Sequence, residues 1–274
     1  MKALPALLVT LGFSALGLVA CRDSTTMVEA PAVSAPELAM IGANLLEGLG
    51  NHRFSVTSTH PEVQRWFDQG LMLTYGFNHD AAERSFLKAT ELDPSCAMCW
   101  WGASLVLGPH VNAGMEPADA ADAWSRLQRA RQLAPGASER EQAFITALSA
   151  RYAEQPPEDR RPLDEAYAAA TGELVKQRPD DLDAAVFHAE AMMDLQPWDY
   201  YDADLQPKGH TAEVVQVLES VMARNPDHAG ALHLYVHAVE ASADPQRGAV
   251  AADRLRELIP GSGHLVHMPA HIYA

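Results

Sequence analysis

Five prolines divide most of the chain into segments of similar length, and each follows a stretch with the composition of a helix. They stand about 34 to 47 residues apart, at Pro94, Pro135, Pro179, Pro226 and Pro260. A proline ends a helix because its ring removes a backbone donor and clashes with the preceding turn. Helical units that recur at this period predict a solenoid of stacked hairpins, in which each unit buries its apolar face against its neighbours.

The composition argues against two other classes of protein. Aromatic residues are only 7% of the chain and runs of alternating β-branched residues are almost absent, which argues against a β-sandwich or barrel. Lysine and arginine total 20 against 36 aspartates and glutamates, so the net charge is -16. Because such a surface repels a phosphate backbone, we expect no nucleic-acid partner.

The first of the helical segments resembles the tetratricopeptide repeat. The residues that match the pattern at its spacing are Trp66, Gly70, Ala82, Phe86, Ala89 and Pro94, whereas Gln69 and Leu73 depart from it. The resemblance implies an all-α fold, an α-solenoid of antiparallel helical hairpins. We expect these hairpins over 62–94, 95–135, 138–179, 181–226 and 228–260.

The first helix of a sixth hairpin is predicted to begin near Ser262. The sequence stops at Ala274, before the second helix of that hairpin. An unpaired last helix leaves an apolar flank open in a repeat array. We therefore expect that the sequence is a fragment of a longer chain, truncated at its C-terminus, or that another protomer covers this end.

The first 21 residues have the pattern of an export signal. Lys2 gives a positive start and 3–20 is an apolar run too short for a comfortable membrane span. The run ends Leu18-Val19-Ala20-Cys21, which resembles the bacterial lipobox, and the resemblance implies that Cys21 carries a lipid. An ordinary cleaved signal is the alternative.

The residues after this signal, 22–49, are predicted to be a flexible tether, because their first part is rich in Ser, Thr, Ala and Pro and lacks periodicity. We expect a helical repeat domain over 50–274, held on the periplasmic side of the bacterial envelope and touching the membrane through its lipid anchor only. Among the lipoproteins that this resembles, an aspartate directly after the cysteine favours retention in the inner membrane. This sequence has Arg22 at that position, which indicates the outer membrane.

Histidines concentrate at the end of the sequence in two pairs of equal spacing. His233 and His237 are four residues apart, and His267 and His271 repeat this spacing 34 residues later. Side chains four apart share a helix face, and packed helices lie about 8–10 Å apart. The spacing predicts that the four imidazoles converge.

Neutral imidazoles suit zinc, copper, nickel or iron, and the four histidines are a candidate metal site. Glu240 and His264 share the same faces as secondary candidates, either ligands or partners that orient the ligands. The alternative is that the histidines line a groove and bind a peptide, or bond to one another around ordered water. Pro269 lies between the second pair and is expected to kink that helix.

Two further features carry chemistry. Cys96 and Cys99 form a C-x2-C pair, which is expected to be a local disulfide, with redox activity and metal binding as the alternatives. A long connection between two predicted helices, 196–210, contains Trp198, Tyr200 and Tyr201 and is a candidate lid, although a harmless insertion has the same pattern.

Four short motifs resemble those of a family of bacterial exported tetratricopeptide-repeat proteins. They are Gly50-Asn51-His52, Tyr75-Gly76-Phe77-Asn78-His79, Cys96-Ala97-Met98-Cys99-Trp100-Trp101-Gly102 and His267-Met268-Pro269-Ala270-His271-Ile272-Tyr273. The resemblance covers about 50–274 and implies the repeat fold and a longer chain, but it implies little about mechanism. The family carries asparagine where this sequence has His110.

Two functions remain open from the sequence. The first is a membrane-tethered extracytoplasmic scaffold that binds a peptide or protein segment in its concave groove. The second is a periplasmic protein that binds a transition metal, zinc or copper, through the duplicated His-x3-His pairs. No catalytic residue is predicted, because hydrolase motifs and phosphate-binding loops are absent from the sequence.

Overall fold

The structure, a computed structural model, describes residues 44–274. The predicted signal 1–21 with Cys21 and most of the predicted tether lie outside the described residues. The helices are α1 (Val63–Tyr75), α2 (His79–Leu92), α3 (Ala97–Leu105), α4 (Ala120–Leu133), α5 (Glu139–Leu148), α6 (Arg161–Gln177), α7 (Leu182–Met193), α8 (Thr211–Arg224), α9 (Ala229–Val239), α10 (Ala249–Leu258), α11 (Gly263–His267) and α12 (Pro269–Tyr273). Short 3-10 turns occupy Pro117–Asp119, Ala134–Gly136 and Pro245–Gly248.

The predicted all-α class is confirmed for the described part of the chain. Between residues 44 and 274 no strand forms, and the only β pairing is two isolated bridges, His110 with Ala113 and Tyr201 with Pro207. None of the helices in this range is long and apolar enough to cross a membrane.

Local sequence signals explain where the helices begin and end. Each of the five prolines that punctuate the sequence stands two residues after the last residue of α2, α4, α6, α8 or α10. At the other end, the side chains of Asn78 and Asp181 accept hydrogen bonds from the first turns of α2 and α7. Ser138 and Glu141 form a reciprocal capping box at the start of α5.

Consecutive helices pack against each other along the chain, from α1 with α2 to α9 with α10. Phe86 of α2 shows how closely they approach. A methyl group on Gly70 of α1 or on Gly102 of α3 would lie within 3 Å of the Phe86 ring, so both neighbours need glycine. In addition, α9 contacts α1 and α7, so the later helices return to the beginning of the domain.

The segment 44–60 precedes α1 and packs along several helices. Phe54 is fully buried, and its ring packs against aromatic side chains of α1, α3 and α5, namely Phe67, Trp101 and Phe144. Thr57 donates hydrogen bonds to Glu141 of α5, and His52 bonds to Asp183 of α7. The segment is therefore part of the folded core and fills space that the first helices of successive pairs share.

The last described helices bend where the sequence predicts it. Helix α11 begins directly after Ser262 and stops at His267, and α12 starts again at Pro269. Before this bend, the backbone N–H of Gly261 donates to the carbonyl of Gly48, at 2.8 Å, which ties the start of the described chain to its end.

Candidate metal centre

Helix α9 and the bent pair α11 and α12 bring five histidines together. His233 and His237 lie on α9 with exposures of only 0% and 1%. His264 and His267 lie on α11, and His271 lies on α12. Burial decreases across the group, because His264 and His271 are half-buried and His267 is exposed.

Three of these imidazoles form a compact set. One nitrogen each of His233, His237 and His264 lie within 4.8 Å of one another. The Nε2 atoms of His233 and His264 are 3.0 Å apart. His264, a secondary candidate from the sequence, therefore lies with the α9 pair, whereas His267 and His271 form a neighbouring pair with their Nε2 atoms 2.9 Å apart.

Hydrogen bonds on the far side of the two buried rings set their tautomers. The Nδ1 atom of His233 lies 2.6 Å from the backbone carbonyl of Tyr75, which can only accept, so Nδ1 carries the proton. The Nδ1 atom of His237 lies 2.9 Å from Glu240 and donates to this carboxylate. The Nε2 atom of each ring then carries a lone pair: that of His237 has no hydrogen-bond partner, and that of His233 accepts from Nε2 of His264.

The electrostatic environment keeps this set available to a cation. Burial is the main cause that lowers the pKa of His233 well below its ordinary value, and neighbouring His237 and His264 lower it further. Burial and His237 also lower the pKa of His264, to about 4. Both rings are therefore neutral near pH 7 and present no charge that would repel a cation.

Glu240 connects the three-histidine set to the second pair. Its other carboxylate oxygen accepts a hydrogen bond from Nδ1 of His271. Burial alone would raise the pKa of Glu240, but the hydrogen bonds of His237 and His271 outweigh it and lower the pKa below its usual value. One ionised carboxylate thus orients imidazoles from two different helices.

Two aromatic residues flank the histidines, and both have positive φ. Phe77, at φ 53, has its ring centre 4.4 Å from that of His233 and 5.5 Å from that of His264. Trp198, at φ 63 and 52% exposed, places its ring edge-on at 5.2 Å from His237. Such backbone conformations cost about 1–3 kcal/mol in non-glycine residues and cluster at functional sites.

The other residues singled out by the sequence lie apart from the set. Of the candidate lid residues, Trp198 has a ring contact with His237, whereas Tyr200 is buried and Tyr201 donates to the carbonyl of Ala238. Cys96 and Cys99 are joined in a disulfide at the start of α3.

Sequence reasoning assigned no role to His52 or His110, and the structure gives both close partners. His52 and Tyr75 each place a polar atom within 2.8 Å of Asp183, whose other neighbours include His228. The ring of His110 lies tilted against that of His79, with ring centres 4.3 Å apart. The recurrence of histidine in the Asn51-His52 and Asn78-His79 motifs is the only sequence signal for these contacts.

No protein-family model matches the chain, and no curated protein is significantly similar to it.

Proposed function

We propose that this protein binds a first-row transition metal ion through the Nε2 atoms of His233, His237 and His264. One observation carries the proposal: His237 Nε2 is buried without any hydrogen-bond partner, and His237 belongs to a set in which one nitrogen each of His233, His237 and His264 lie within 4.8 Å of one another. A buried polar atom without a partner costs about 1–3 kcal/mol. A metal ion bonded to it removes that cost.

The arrangement around the three rings has the form found in metal sites. Ligand histidines donate their second N–H to a carbonyl or carboxylate, which fixes the ring and strengthens the ligand. Tyr75 and Glu240 supply one acceptor of each kind. Three imidazoles suit zinc, copper, nickel or iron, and a fourth position stays open for water or another ligand.

A scaffold that binds a peptide is the second candidate function, and it depends on a solenoid arrangement of the helices. The helix pairs α1–α2 to α9–α10 fit within the five predicted hairpins, and this agreement supports a tetratricopeptide-like solenoid. Segment 44–60 of the chain itself packs on the surface formed by the first helices of successive pairs. This packing argues against peptide binding on that surface. A cavity of about 1010 Å³ between α6, α7 and α8 offers a different surface, lined among others by Lys176 and Met192.

An envelope location is part of the proposal. The disulfide between Cys96 and Cys99 supports it, because disulfides persist in oxidising compartments outside the cytoplasm. The lipid anchor at Cys21 and the preference for the outer membrane remain predictions from the sequence.

Zinc titration of tag-free, chelator-treated protein tests the proposed function. We expect one tight zinc ion per chain, measured by competition with a chromophoric chelator. His264→Ala should lower the zinc affinity by about 100-fold or more. This loss exceeds the one expected when only a hydrogen-bond partner of a metal ligand is removed. His264 is only half-buried, so we expect its variant to keep the helical circular dichroism of the parent protein.

His210→Ala is the matched control, because His210 is exposed and pairs with Glu213 at the spacing that joins His237 to Glu240. Its zinc affinity should equal that of the parent. An unchanged affinity in His264→Ala, or the same loss in both variants, would exclude the three-histidine site.

A further inference from the structure

The pair His267 and His271 repeats the geometry of the first site. In both pairs two Nε2 atoms lie about 3 Å apart, 3.0 Å for His233 with His264 and 2.9 Å for His267 with His271. Two nitrogen ligands of a tetrahedral zinc ion, each about 2.0–2.1 Å from the metal, are about 3.3 Å apart. Either pair therefore needs only a small movement to hold an ion.

The tautomers of the second pair follow from Glu240. Because His271 donates its Nδ1–H to this carboxylate, Nε2 is the ring atom that can carry its lone pair. His267 must then supply the proton that lies between the two Nε2 atoms. His267 is exposed, so it can take the other tautomer and free a second lone pair toward the same point.

The second pair shares no histidine with the first site but lies beside it, with ring centres 5.2 Å apart for His271 and His237 and 5.6 Å apart for His267 and His264. The ligand atoms of His233, His237 and His264 form one compact set. A second set, formed by His237, Glu240 and His271, lies next to it. Within that second set, Glu240 accepts the Nδ1–H of both rings, one on each oxygen. Their Nε2 atoms are the ones left for metal ions.

We infer that His267 and His271 hold a second divalent transition metal ion beside the first, with Glu240 as the shared hydrogen-bond acceptor of one ligand in each site. The inference rests on the proposed function for its first ion. The second ion has two protein ligands at an exposed position, so water completes its coordination and it exchanges readily. The first ion has three ligands, two of them buried.

Equilibrium dialysis against buffered free Zn²⁺ tests this inference on the tag-free protein. The parent should bind two ions per chain in two steps, with the second half-saturated at a free zinc concentration at least about tenfold higher. His267→Ala should bind only the first ion with unchanged affinity, because His267 makes no contact with Glu240 in the structure. His264→Ala should lose the tight step and keep the weak one, and His210→Ala should keep both.

Long-range proton–nitrogen NMR spectra assign each step to its nitrogens. The first equivalent of zinc should shift Nε2 of His233, His237 and His264, and the second should shift Nε2 of His267 and His271. Saturation of the parent at one ion, or two ions retained by His267→Ala, would overturn the second site. Absence of the tight step in the parent protein, with an ion still bound at His267 and His271, would instead refute the proposed function.

Discussion

Glu240 accepts hydrogen bonds from two imidazoles that belong to different helices, His237 on α9 and His271 on α12. In the proposed metal site it is a positioning residue, because it would act on the ion only through these rings. Each of its two oxygens accepts a hydrogen bond from one imidazole. In each imidazole this bond directs the Nε2 lone pair away from the carboxylate.

Glu240→Gln tests this role, because an amide offers one oxygen acceptor and turns its N–H₂ group toward the second Nδ1–H. We expect zinc affinity to fall about 10- to 100-fold, in the range for partners that orient metal ligands. Chelator competition measures the loss, and Glu213→Gln, which alters the exposed His210–Glu213 pair, should leave affinity unchanged. Equal affinities for Glu240→Gln and the parent would argue against a positioning role.

At this scale the sequence predicts the ligand types better than the ligand set. The spacing of His233 with His237 and of His267 with His271 indicates two pairs on helix faces. Spacing gives no information on tautomers, and the carbonyl of Tyr75 that fixes His233 lies 158 residues away in the sequence. The grouping of His264 with the α9 pair depends on such long-range contacts.

Segment 44–60 is the element whose role the sequence describes least. The predicted tether runs to residue 49, yet the backbone of Leu46 donates to Gln69 and Leu49 is buried. A segment without helical periodicity has no pattern that reveals burial, because its contacts come from distant helices. The helices themselves are well predicted, since proline and capping signals act within a few residues.

Phe54→Ala should lower the free energy of unfolding by about 3–5 kcal/mol, the usual cost of truncating a buried phenylalanine. Phe54 also packs under the guanidinium of Arg140, 3.6 Å from its ring centre. Urea denaturation of the metal-free protein measures the change, and Leu46→Ala, at an exposed side chain, should cost less than about 0.5 kcal/mol. A loss below about 1 kcal/mol for Phe54→Ala would mean that the segment is not part of the core.

Across the whole molecule, Asp183 joins parts of the chain that are far apart in sequence. It accepts hydrogen bonds from His52 before α1, from Tyr75 at the end of α1 and from Arg140 of α5. Burial would raise its pKa, but the hydrogen bonds of His228 and His52 outweigh burial and hold the pKa well below its ordinary value. Burial would lower the pKa of His52, and Asp183 outweighs that effect and raises it.

These shifts predict how stability depends on pH. The lowered pKa of Asp183 gives stability that is present above its unfolded value of about 3.9 and is lost as the pH falls through the folded value. The raised pKa of His52 gives stability that is present below about 6.5 and is lost as the pH rises through its folded value. The contribution of the pair is therefore largest between about pH 4 and pH 6.5.

Asp183→Asn should destabilise the metal-free protein by about 3 kcal/mol in this window, within the range for breaking a buried ion pair. The difference from the parent should shrink below pH 4 and again above the folded pKa of His52. Urea denaturation across pH 3 to 8 measures both curves. A difference that stays constant over this range would contradict the assignment of the shifts to this pair.

The most direct test of the metal centre is an anomalous difference map from crystals of the tag-free protein grown with one equivalent of zinc. The three-histidine site predicts a zinc peak about 2.0–2.1 Å from Nε2 of His233, His237 and His264. A peak elsewhere, with these three nitrogens unbound, would contradict it.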